Sequence, residues 1–236
     1  MSDFDRNVAA FPGAARTVAV DAGLRAHMIR VYNYMAGGVA LTGVTAYFTH
    51  QLLGPTLYGS PLMYVLIFAP LALVFFLSFR IESLSASTAR ALFFVYAALL
   101  GASLSVIFAV YTGASITRVF FISAAAFGGL SLWGYTTQRD LTGIGSFLMM
   151  GLIGIIIASL VNIFLRSSGL DWIISVIGVI VFAGLTAWDT QKIKEMYSPY
   201  DDGTVAGRKV VMGALSLYLD FINLFLMLLR LFGDRR

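Results

Sequence analysis

The chain has 236 residues, 59% of them hydrophobic and 12% charged, with a mean hydropathy of +0.85. A soluble domain carries about 25% charged residues, so this composition excludes a water-soluble fold. The absence of cysteine removes disulfide frameworks, thiolate metal sites and cysteine nucleophiles. The net charge of +4 is scattered over short connections between apolar runs, which gives no basic face for nucleic acid.

In chain order, residues 1–30 form a polar tail of mixed sign (Asp3, Asp5, Arg6, Arg16, Asp21, Arg25, Arg30). Its apolar patch from Thr17 to Val20 is too brief for the core of a signal peptide. A helix of about 20 apolar residues crosses a bilayer, and seven runs of that kind follow: 31–53, 61–80, 89–111, 118–137, 144–165, 172–191 and 210–232. The longest connection is the Lys192 to Lys209 loop with Pro199, Asp201, Asp202 and Gly203, and a short tail, 233–236, closes the chain. The reading is an all-α integral membrane protein with one seven-span domain over 31–232. Small residues crowd the spans (Gly37, Gly38, Gly101, Ser105 and the Ser123 to Gly129 run), as expected where helix backbones approach closely in lipid. Trp172 and Trp188 bracket one span at a separation of about 24 Å, the spacing of an aromatic belt at each interface.

With seven spans, eleven Lys and Arg fall on the side of the N-terminus (Arg6 through Lys209) and five on the other (Arg118, Arg166, Arg230, Arg235, Arg236). That bias places the N-terminus in the cytoplasm. Arg235 and Arg236 lie outside if the last segment crosses fully and inside if it is re-entrant, and both arrangements remain open.

Two carboxylates interrupt apolar runs: Asp189 and Asp220. An ionised Asp near the bilayer centre costs about 2.5 to 3.5 kcal/mol on insertion scales, so such residues are functional candidates. If they meet, they form a pair that shares a proton and titrates as a unit, and their oxygens are hard donors suited to calcium. Counting from Lys209 puts Asp220 about 16 Å deep, whereas Asp189 lies near the end of its own span. Pairing therefore requires the sixth helix to run on through Lys194 or the seventh to start well outside the bilayer. Arg80, at the end of the second span, lies at the level of Asp189 by the same count. His27 and His50 are isolated in sequence and read as surface or interfacial groups.

Around these acids the chain resembles the Bax inhibitor-1 family, in a compact bacterial form. The resemblance rests on Trp188-Asp189-Thr190-Gln191-Lys192-Ile193, on the stretch from Gly213 to Phe225 centred on Asp220, and on Val31-Tyr32-Asn33-Tyr34-Met35. It implies a seven-helix bundle with the last helix central and a pH-dependent calcium leak. By motif it makes Asp189 and Asp220 a proton-sharing pair with transient calcium contacts. By placement alone it makes Arg80 a latch onto Asp189. No cofactor is implied; calcium is the transported ion.

Two other functions compete. Intramembrane aspartyl proteases also carry paired Asp on two spans, but they place glycines one and three residues before the second Asp, where this chain has Leu219 and Leu217. No Gly-x-Ser-x-Gly element occurs either, so an enzyme is not expected. The third class is an interaction protein that binds and restrains a membrane quality-control protease, as some bacterial relatives do.

Overall fold

The computed structural model describes residues 12–236, with side chains from residue 21 onward. The tail charges Asp3, Asp5 and Arg6, and the Arg16 side chain, lie outside the described residues. Eight α-helices follow in order among them: α1 Pro12–Leu57, α2 Pro61–Arg80, α3 Ala86–Leu104, α4 Ile107–Val110, α5 Gly113–Thr136, α6 Thr142–Leu165, α7 Ser168–Glu195 and α8 Gly203–Phe232.

Helix starts are set by short polar side chains that accept otherwise orphaned backbone N–H groups. Ser85 accepts from Thr88 N at 3.1 Å, and Asp202 from Thr204 N and Val205 N at 2.8 and 2.7 Å. Those backbone bonds, that of Val205 foremost, hold the Asp202 carboxyl below its ordinary range. Pro61 opens α2 in the first turn, where a missing N–H costs nothing.

Six of these segments are long and apolar enough to cross a membrane among the described residues: 61–83, 86–110, 113–136, 142–165, 168–195 and 203–232. The chain is thus an all-α integral membrane protein. The apolar run 31–53 is not a separate element but the second half of the 46-residue α1, whose first half is polar. The run expected over 89–111 is broken: α3 stops at Leu104 and α4 resumes at Ile107.

The last helix, α8, is central and packs against α1, α3, α5 and α7. In its most apolar window 72% of residues are buried, against 11% in α2 and in α6. The chain shows two distinct ends. At one, the basic end, Arg208 donates to the Glu82 carbonyl, and Lys194 Nζ donates to the Tyr135 carbonyl at 3.0 Å. At the other, α8 finishes uninterrupted at Phe232 and its tail is tied down. Arg236 N donates to the Val110 carbonyl at 2.9 Å, and Arg118 pairs with Asp234 at 3.0 Å. Of the two arrangements left open for the last segment, the structure has the full-length helix; Arg235 and Arg236 lie at the end opposite the basic loop.

At two glycines the backbones of neighbouring helices come together. A methyl group on Gly101 would meet the backbone of Thr42 on α1, and one on Gly134 would meet the backbone of Ala187 on α7. Backbone cannot retreat as a side-chain tip can, so Gly134→Val is expected to force α5 from α7 and cost about 1–3 kcal/mol. A lowered melting temperature in detergent checks this. Gly128 and Gly129, by contrast, have open space beside them.

Two aromatic or polar groups differ from expectation. Trp188 is not merely a belt residue. Its indole lies against Gly145 on α6, with Lys192 Nζ 5.1 Å above the ring. His27 is buried, at 5% exposure, because the α7–α8 loop folds over α1 and sets the Tyr197 ring 5.7 Å away. Burial, aided by Arg30 and Lys209 and opposed by Asp201, holds the His27 imidazole below its ordinary 6.5. The native state therefore holds it neutral while the unfolded chain protonates it, so its stabilising contribution is full above pH 6.5 and declines as the pH falls below. Thermal melts between about pH 7.5 and pH 5.5 should show a steeper loss for the wild type than for His27→Gln.

Candidate functional site

Asp189, Thr190 and Gln191 on α7 turn to three different neighbours, because successive helical side chains are 100° apart. Asp189 faces α8. The Thr190 hydroxyl lies 2.9 Å from Ser131 Oγ on α5, and Ser131 in turn bonds the Tyr32 hydroxyl of α1. Gln191 grips the turn before α6, accepting from Leu141 N and donating to the Arg139 carbonyl, both at 2.8 Å. The two residues after the acid thus fix the rotation of α7 and with it the direction of Asp189.

Helix α8 is fixed from its other face by Tyr218. This side chain is fully buried, and its hydroxyl is 2.6 Å from Thr42 Oγ1. Thr42 has one proton and directs it to the carbonyl of Gly38 or Ala97, each at 2.9 Å; the Tyr218 hydroxyl is therefore the donor to Thr42. Phe93 and Tyr96 meet the Tyr218 ring edge-on at 5.7 and 5.8 Å. With Tyr218 held against α1 and α3, Asp220 two residues on projects toward α7.

The two acids meet. Their carboxyl groups are within hydrogen-bonding reach of each other. Asp220 is 5% exposed, and its Oδ2 is fully buried with no hydrogen-bond partner among the described residues. The depth mismatch seen in the sequence is resolved by both routes at once: α7 runs on to Glu195, and α8 begins at Gly203. Asp189 is then about 9 Å from the end of α7, and Asp220 about 25 Å from the start of α8. The first turns of α8 consequently project past the end of α7, which is where the α7–α8 loop packs on His27.

A cavity of about 520 Å³ opens on the pair between α6, α7 and α8. Leu152, Phe182 and Met227 supply apolar wall, and Ser159, Ser216 and Asn223 supply polar edges. The Asn223 amide donates to the Leu219 carbonyl at 2.8 Å. Among the described residues no group of three His, Asp or Glu converges on one point. Calcium takes six to eight oxygens and two carboxylates offer four, so the pair alone is not a closed cage for such an ion.

Arg80 is not at this site. It is exposed at the end of α2, and α2 packs on α3 rather than α7. Among the described residues Arg80 makes no salt bridge, and the cation acting on Asp189 is Lys192, one turn on. The end of α2 is nevertheless close to α7: Ile81, Glu82 and Met196 line one cavity of about 420 Å³ at the basic end.

The sequence motifs that quote Thr190, Gln191 and Tyr218 do not reveal their roles. The signal lies in their composition, since a fully buried hydroxyl or amide inside a span must be satisfied.

Comparison with known proteins adds the following. The family described as inhibitor of apoptosis-promoting Bax1 matches residues 24–236. An uncharacterized protein of Rickettsia prowazekii is 52% identical over 92% of each chain. The inner membrane protein YbhL of Escherichia coli is 49% identical over 96% of this chain and 99% of its own length. An uncharacterized membrane protein of Streptococcus pyogenes is 37% identical over 90% of this chain and 94% of its own.

Proposed function

Because the chain belongs to the Bax inhibitor-1 family, we propose that it is a pH-sensitive calcium leak of the bacterial plasma membrane, gated by Asp189 and Asp220. The observation that carries this reading is the pair itself, buried Asp220 beside part-buried Asp189 inside two spans, standing on a cavity with polar edges. Two carboxyl groups inside spans carry a cost in lipid that a purely structural role gives no reason to bear. The protein acts without enzymatic turnover and without a cofactor. Calcium and protons are its small partners.

In this reading α1 supplies a seventh span over 31–53, and the basic end, with the N-terminus, faces the cytoplasm. The chain has no native cysteine, so single cysteines at Ser2 and Asp234 report each end cleanly. Impermeant reagent added to intact cells should label the Asp234→Cys protein and spare Ser2→Cys; the reverse pattern overturns the orientation.

The gate uses Arg80. With Asp189 ionised, the end of α2 closes across the cavity it shares with Met196 and Arg80 pairs with Asp189; protonation in mild acid releases it. Support comes from the slight burial of α2 and from that shared cavity. In this reading an exposed Arg80 with no salt bridge among the described residues is the released arrangement. The test of the activity is flux through the purified protein alone: calcium-loaded liposomes carrying it should empty faster at pH 6 than at pH 8, and equal, protein-independent rates at both would refute a leak.

A further inference from the structure

At the basic end a second, smaller cavity of about 130 Å³ lies between α1, α3 and α8, lined by Arg30, Tyr34, Ser87, Arg90, Gly207 and Val210. Two arginines from different helices, both partly open to the surroundings, line it, and no carboxylate does. Among the described residues neither arginine is in a salt bridge. Arg90 Nη1 donates to the Tyr34 hydroxyl at 3.4 Å, which leaves most of its donors and those of Arg30 for something else. The floor is firm: a methyl group on Gly207 would lie 2.5 Å from Ala86 Cβ, so α8 and α3 are in direct contact beneath it.

The level of the cavity identifies the ligand. Arg30 immediately precedes the apolar run of α1, Arg90 stands at the start of the apolar part of α3, and Val210 opens that of α8. All three elements therefore cross from polar to apolar at this height, which is where headgroup phosphates sit. Interfacial flanking charges have no reason to converge on one cavity from separate helices, where they repel. Basic pockets between membrane helices hold lipid headgroups, and guanidinium matches phosphate oxygens two at a time. We infer that the Arg30–Arg90 cavity binds the phosphate of an acidic phospholipid. The inference is independent of calcium conduction.

The test is native mass spectrometry of the full chain in detergent, titrated separately with phosphatidylglycerol, phosphatidylcholine and inorganic phosphate. The wild type is expected to hold phosphatidylglycerol at least about ten-fold more tightly than phosphatidylcholine, a difference of about 1.4 kcal/mol. Arg30→Gln with Arg90→Gln should erase most of that preference. Ser87→Glu should do so with both arginines in place, by putting a carboxylate in the cavity; it covers the case in which the double variant fails to fold. Arg139→Gln, at the same end but outside the cavity, should keep the wild-type preference. The inference is overturned if the variants keep that preference, if Arg139→Gln loses as much, or if inorganic phosphate binds as tightly as the acidic lipid.

Discussion

Liposomes carrying Asp189→Asn or Asp220→Asn are expected to lose the pH response of calcium flux, and to lose it in opposite directions. Asparagine keeps the shape of the acid, with one acceptor oxygen replaced by an N–H donor, and neither gains nor releases a proton. Asp189→Asn leaves Arg80 with nothing to hold, so flux should be high at pH 8 and at pH 6. Asp220→Asn leaves Asp189 without a neighbour to share a proton with. It keeps its charge, Arg80 stays bound, and flux should be low at both. In the wild type the proposed latch is expected to shift the open-to-closed ratio by the differential stability of one partly buried bridge, about 1 to 3 kcal/mol, or roughly five- to 150-fold. Flux measured at pH 8 and pH 6 should give that ratio for the wild type and a ratio near one for each variant. A variant that keeps the wild-type ratio removes its residue from the gate.

Arg80→Ala is expected to leak calcium at pH 8 as the wild type does near pH 6, the same roughly five- to 150-fold rise obtained without acid. The side chain is exposed and touches no acid in the described conformation, so its removal should leave the fold intact. An unchanged melting temperature beside a raised flux separates the latch from simple destabilisation. Lysine at the same position keeps the charge but loses the planar fork, so Arg80→Lys should restore tightness at pH 8 only in part. Arg80→Ala liposomes as tight at pH 8 as the wild type would leave Arg80 an ordinary interfacial charge.

Much of this architecture is written in the hydropathy pattern. The runs 61–80, 144–165 and 172–191 sit inside α2, α6 and α7 with small shifts at their ends, since a run of apolar residues in lipid has one way to satisfy its backbone. What hydropathy does not show is where a helix continues past the bilayer. The polar first half of α1, the end of α7 at Glu195 and the start of α8 at Gly203 all lie outside the apolar runs. The break at Leu104 to Ile107 leaves no mark in composition. Burial of His27 depends on a loop that closes over it from 170 residues further along the chain, as with Tyr197, a contact no local pattern encodes. At the site, the acids announce themselves by their cost in an apolar run. Their meeting depends on helix rotation, which Gln191 and Tyr218 set through bonds to residues 50 and 176 positions away. Arg80 shows the limit of counting depth: it stands at the level of Asp189, yet α2 packs chiefly on α3 and leaves Arg80 exposed in the described conformation.

The central claim is that the Asp189–Asp220 pair takes up a proton as the pH falls through the range in which the path opens. Infrared difference spectra of the protein in lipid, recorded between pH 8 and pH 6, read this directly. A band of protonated carboxyl should grow in the wild type and be absent from both Asp189→Asn and Asp220→Asn. A wild-type spectrum without that band, or a band that persists undiminished in both variants, would contradict the account.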